Sequence, residues 1–242
     1  MITKQLFCLT IIVAIFFSCK PNKAQQYFNE AELLEQKGKT EEAIRLLDKA
    51  IAEDTNFIAA YINRGASKSM LKDYMGAITD YTAVIKIDST YALAYLNRGK
   101  SKKSEENYND AILDFNTALK LKGYGDFITV TFVDNPFFHV DEDREYLEPT
   151  INEILYERGI AYFYIDSLKQ AFSDFSFCIS EGNIPQSNKR GEFEFNAVND
   201  CYYWRGFVYL KLGYKDKGCK DLHKAAELGI TEAIYEIERY CK

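Results

Sequence analysis

Three asparagines recur at a fixed interval: Asn29, Asn63 and Asn97 stand 34 residues apart. A primary amide both donates and accepts hydrogen bonds, so a row of them can hold a peptide backbone without reading its side chains. A structural role at each position is the other reading of the same row. Arginines recur beside it, at Arg64, Arg98, Arg158 and Arg205, each directly before a glycine. A guanidinium forks onto a carboxylate through two parallel bonds. Such regular recurrence favours a shared structural partner, an acidic residue on an adjacent helix, over separate ligand sites. Lys100 and Lys103 add two ammonium groups near the third asparagine. Phe28, Ile62 and Leu96 each precede an asparagine and are expected to make this face partly apolar.

Little else in the chain has the spacing of a reactive site. There is no phosphate-binding glycine loop, no nucleophile elbow and no zinc spacing. The two histidines, His139 and His223, lie far apart. The cluster Asp141, Glu142, Asp143 and Glu145 lacks the glycine and final glutamate of a calcium loop. No catalytic residue, metal or cofactor is therefore expected, and the chain reads as non-enzymatic. A formal charge of -6 and a pI near 5.2 argue against nucleic acid as a partner.

The elements that must position these residues announce themselves by repetition. YINRGASK at 61–68 returns as YLNRGKSK at 95–102, a shift of 34. Around each copy runs a pattern of one large residue, two small ones and a second large one. It reads Tyr61, Gly65, Ala77, Tyr81 and then Tyr95, Gly99, Ala111, Phe115. One period earlier it is Tyr27, Ala31, Ala43, Leu47. Later copies are Leu155, Gly159, Ala171, Phe175 and Tyr202, Gly206, Gly218, Leu222. Small residues let two helices approach closely, and the large ones fill the space between neighbouring hairpins. KTEEAIRLLDKAIAED places Ala43, Ile44, Leu47, Ala50 and Ile51 on one stripe at helical spacing.

This pattern resembles the tetratricopeptide repeat. The resemblance implies an all-α solenoid of helical hairpins, each burying its stripe against its neighbours. Its expected repeats are about 24–57, 58–91, 92–122, 152–183 and 199–230, within a domain spanning 26–242. A capping helix over 231–242 is expected to close the stack. The proline that usually ends the repeat is missing throughout, and the first and last copies are degenerate. Two insertions break the period, at 123–149 and 184–198. The first contains FITVTFV and then Asp134, Asn135 and Pro136, so it reads as an irregular or small β element or as a longer packed connection. By the same resemblance the asparagine row lines the inner groove and takes an extended peptide, with Phe28, Ile62, Leu96, Lys100 and Lys103 beside it. Lys100 and Lys103 only partly match the carboxylate clamps of chaperone cofactors. The alternative function is a structural subunit of an envelope assembly, contacting partners through the convex face or the 123–149 insertion.

The N-terminus is organised differently. Lys4 precedes an apolar run from Leu6 to Phe17, too short for a membrane span and suited to an export signal. The ending IFFSC resembles the lipobox of bacterial lipoproteins, with Phe16 a departure from the commoner leucine. It implies a signal over 1–18, acylation of Cys19 and a polar tether over 19–25. The expected location is then the bacterial cell envelope. The chain would be lipid-anchored at the outer membrane and face the periplasm or the surface, with a protein or peptide partner. Beyond Cys19 an oxidising compartment would hold Cys178, Cys201, Cys219 and Cys241. Cys219 and Cys241 lie ten residues before and twelve after Gly229. At about 1.5 Å of rise per residue they reach nearly the same height on antiparallel helices, which makes them the disulfide candidates.

Overall fold

The computed structural model describes residues 22–124, 149–182 and 197–242, and among these are eleven helices and no strand. In chain order they are α1 (Lys23–Gln36), α2 (Thr40–Glu53), α3 (Ile58–Met70), α4 (Tyr74–Ile87), α5 (Ala92–Ser104) and α6 (Tyr108–Leu121). Then follow α7 (Ile151–Tyr164), α8 (Leu168–Gly182), α9 (Ala197–Lys211), α10 (Lys215–Glu227) and α11 (Thr231–Tyr240). Consecutive helices pair as hairpins, each hairpin packs on the next, and α11 lies against α10. The expected element in 123–149 falls almost wholly outside the described residues. So do the signal over 1–18 and the acylation site Cys19. The stretch expected as a tether is shorter at its far end, because α1 already begins at Lys23. Asn22 causes this: its side-chain oxygen accepts the Ala24 N–H at 3.1 Å and caps the helix.

Glycine sets how closely the two helices of a hairpin approach. A Cβ on Gly65 would come within 2.8 Å of the Tyr81 ring, and one on Gly99 or Gly159 within 2.6 Å of Phe115 or Phe175. These rings are buried, so the missing methyl is occupied space. Every hairpin also turns in the same way. Gly38, Lys72, Glu106, Asp166 and Gly213 all take a left-handed φ. The residue after each donates its N–H back to the preceding helix, as in Lys39 to Leu34 and Asp73 to Lys68, both at 2.9 Å.

The recurrent arginines tie this stack together. Arg64, Arg98, Arg158 and Arg205 each fork onto an aspartate sixteen residues on, in the second helix of the same hairpin: Asp80, Asp114, Asp174 and Asp221. In the Arg98 pair, Nε and Nη2 meet the two oxygens of Asp114 at 2.9 and 2.7 Å. The remaining Nη1 reaches back to the second helix of the previous hairpin. There Arg64 donates to Asp48 at 2.7 Å, Arg98 to Thr82 at 3.2 Å, Arg158 to Asn116 at 2.6 Å and Arg205 to Ser176 at 3.4 Å. One side chain thus joins three helices. The hydrogen bonds that Arg98 donates to Asp114 raise the Arg98 pKa above its ordinary value, against the opposing effect of burial. All four aspartates are buried, so each needs its cation. Lys68 and Lys102 add a second cation to Asp80 and Asp114, both at 2.8 Å.

Removing a buried member of such a pair strands the other charge. Asp114→Ala is expected to lower stability by about 3 kcal/mol. Asp48→Ala, at an exposed carboxylate, should lower it by under about 1 kcal/mol. Urea unfolding followed by circular dichroism measures both; equal effects would remove the buried fork as the source.

Candidate functional site

The first helices of successive hairpins also touch one another, α3 with α5, α5 with α7 and α7 with α9. They therefore line the inner side of the curve. The asparagine row sits on these helices. Asn29 is exposed and its side-chain oxygen accepts from Gln25 Nε2 at 2.7 Å, so its amide is partly used within α1. Asn63 and Asn97 are half-buried, and no side-chain hydrogen bond engages either amide among the described residues. Their backbone carbonyls accept from Ser67 and Ser101, one turn on.

The apolar neighbours are elsewhere. Phe28, Ile62 and Leu96, expected on the groove, are buried in the core between hairpins. One residue along a helix is a rotation of about 100°, which turns the side chain before each asparagine away from the groove and into the core. Lys100 and Lys103 do reach the groove, but both are neutralised there. Lys100 Nζ lies 2.7 Å from Glu153 and 3.8 Å from Glu157, while Lys103 Nζ lies 2.5 Å from Glu157. Carboxylates of α7 thus occupy the place that a ligand carboxylate would take. Glu157 holds the position in α7 that asparagine holds in α3 and α5.

Beyond this ion-pair cluster the groove becomes aromatic, a feature that the spacing of the asparagines did not reveal. Phe163, Tyr203, Trp204, Phe207, Leu210, Lys211, Lys215 and Tyr240 surround a cavity of about 590 Å³. The rings come from α7, α9 and α11 and meet mostly edge to face. Phe163 to Trp204 is 5.4 Å between centroids, Tyr203 to Phe207 is 5.0 Å, and Phe207 to Tyr240 is 6.3 Å. Lys211 Nζ stands 4.4 Å above the Phe163 ring and 3.1 Å from exposed Asp166. Lys215 donates to a main-chain oxygen of Lys242 at 2.8 Å. Burial raises the Tyr203 pKa, and the nearby carboxylates of Glu236 and Glu232 add to the rise. A smaller cavity of about 310 Å³ shares Trp204 and runs past Tyr164 and Tyr108 to Lys103. Tyr108 and Tyr164 stack at 5.0 Å. The signal for this end was the density of rings in AYFY and YYWRGF.

Cys219 and Cys241 are joined by a disulfide, with their Cα atoms 5.6 Å apart. It fastens the end of α11, and with it Tyr240, to α10. Cys178 and Cys201 are free thiols facing each other in the core between α8 and α9. Burial and the contact with Cys178 push the Cys201 thiol pKa up.

The family model of the tetratricopeptide repeat matches residues 23–57, 92–123 and 200–228. No curated protein sequence matches the chain. Several solved structures share its fold. MamA from Desulfovibrio magneticus RS-1, from residue 41 to its end, is 16% identical with a TM-score of 0.64, over 86% of this chain and 96% of that one. YrrB, described as a TPR protein with an unusual peptide-binding site, is 17% identical with a TM-score of 0.60, over 88% and 90%. PilF from Pseudomonas aeruginosa is 15% identical with a TM-score of 0.61, over 86% and 77%. At this identity the likeness concerns the fold. The described helices form a tetratricopeptide-repeat solenoid.

Proposed function

We propose that this chain is a non-enzymatic interaction adaptor that holds an extended segment of a partner protein along the inner face of its first helices. The observation that carries the reading is the pair Asn63 and Asn97. Two half-buried amides with no side-chain hydrogen bond among the described residues stand at equivalent places on adjacent first helices. A groove amide left open to a backbone gains most from a strand-like ligand, whose N–H and C=O groups recur. The unusual peptide-binding site of YrrB supports a peptide as the class of ligand. Asn29 extends the row, and the neutralised Lys100 and Lys103 mark where it ends.

The adaptor works at the bacterial cell envelope, anchored through an acylated Cys19. The apolar run from Leu6 to Phe17 followed by Ser18 and Cys19 supports this, and a disulfide between Cys219 and Cys241 suits an oxidising compartment. Among the described residues no helix is long and apolar enough to cross a membrane. More than one acyl chain on a single cysteine gives stable attachment, where one alone is marginal.

Two outcomes are expected. In cross-linked envelopes read by mass spectrometry, Asn63→Asp with Asn97→Asp should lose a partner that the wild type retains. Retention of every partner by both proteins would shift recognition to the convex face or to 123–149. Cys19→Ala should abolish labelling by a palmitate analogue and move the protein out of the membrane fraction; unchanged labelling would refute the lipid anchor.

A further inference from the structure

We infer that the aromatic cavity at the C-terminal end of the groove is an anchor subsite, which takes a bulky apolar side chain of the partner segment adjacent to one of its carboxylates. The inference rests on the groove reading above and states the chemistry that the ligand must carry there. Its volume of about 590 Å³ lies within the usual range of ligand cavities, roughly 300–1,000 Å³. Its walls are ring and aliphatic carbon, and rigid Trp and Tyr surfaces of this kind are the usual seats of binding energy between proteins. It is continuous with the groove, because the smaller cavity shares Trp204 and leads back to Lys103.

The charge at the mouth selects the ligand. A cluster of aromatic faces would suit a cation, but Lys211 already lies 4.4 Å over the Phe163 ring. Lys215 is the second ammonium on the lining, which includes no Asp or Glu side chain, and it donates to a main-chain oxygen of Lys242. Asp166, the carboxylate beside Lys211, is 76% exposed and holds it loosely. Glu232 and Glu236 are near Tyr203, yet neither lines the cavity. A second cation would meet two ammonium groups, whereas a carboxylate would bridge them. The bound segment would set its acidic residue against Lys211 and Lys215, at the turn between α9 and α10, and its apolar anchor among the rings. Its backbone would then run past Trp204 toward Asn97.

The disulfide gives this subsite its last wall. Tyr240 lines the cavity, and the next residue, Cys241, is bonded to Cys219 on α10. Without that bond the end of α11 must be ordered when the ligand binds, which weakens association. Cys219 and Cys241 are therefore positioning residues for the subsite.

Selection of a random dodecapeptide phage library on the full chain tests the inference. Synthetic copies of the enriched peptides are then titrated while the emission of Trp204, the single tryptophan of the chain, is followed. Peptides with Phe, Tyr or Leu next to Asp or Glu should be enriched and should shift the emission. Phe207→Ala is expected to weaken them about tenfold or more. Lys211→Gln with Lys215→Gln, at exposed positions, should weaken them and reduce their salt dependence. Cys219→Ala with Cys241→Ala should weaken them through Tyr240. No enrichment, enrichment of basic peptides, or emission indifferent to bound peptide would overturn the inference. The Asn63→Asp, Asn97→Asp protein separates the two readings. Peptides lost with the asparagines but kept by the pocket variants would leave the groove reading standing and sink the anchor. Peptides lost only with the pocket variants would uphold the anchor and sink the asparagine row.

Discussion

The fork between each recurrent arginine and a buried aspartate is the interaction on which the rest of the structure depends. An aspartate buried as deeply as Asp80 carries a large desolvation penalty unless a cation is bonded to it in good geometry. Arg64 supplies that cation from the first helix of the same hairpin, and its remaining nitrogen reaches the preceding hairpin at Asp48. The same triangle recurs at Arg98, Arg158 and Arg205, although the last acceptor changes to Thr82, Asn116 and Ser176. Directional bonds at every junction fix the register, and with it the direction of the residue next to each arginine. Asn63 and Asn97 occupy that neighbouring place, so the groove inherits its geometry from the core.

The groove that results has unlike ends. Toward the N-terminus it offers amides, which suit a backbone of any sequence. Toward the C-terminus it offers rings and two ammonium groups, which suit particular side chains. Between them the carboxylates of Glu153 and Glu157 hold Lys100 and Lys103, joining α5 to α7 across the first insertion. A general hold and a selective anchor are the two components from which a peptide groove obtains both affinity and discrimination. The fold by itself supplies neither, since tetratricopeptide solenoids serve many roles.

Much of the architecture could be read from the chain because it is periodic. The glycine and aromatic positions follow directly from close helix approach, and Gly99 against Phe115 shows the reason atom by atom. An acidic partner for the arginines on an adjacent helix was also legible, and helical rise alone brought Cys219 level with Cys241. What escaped depends on rotation or on broken periodicity. Phe28, Ile62 and Leu96 stand one residue from the groove asparagines, and that single step turns them into the core. The partners of Lys100 and Lys103 lie 53 and 54 residues away, across an insertion for which the period provides no register. The aromatic cavity is drawn from α7, α9 and α11, whose spacing no longer follows the interval of the earlier hairpins.

The most direct measurement maps the bound segment on the solenoid itself. Amide chemical shifts of the isotope-labelled chain would be compared with and without a cross-linked partner segment. Shifts confined to α3, α5, α7, α9 and the end of α11 would place the segment along the inner face, from Asn63 to Tyr240, as the account requires. Shifts confined to α2, α4, α6 and α8, or to residues 123–149, would contradict it and make the inner face a by-product of stacking.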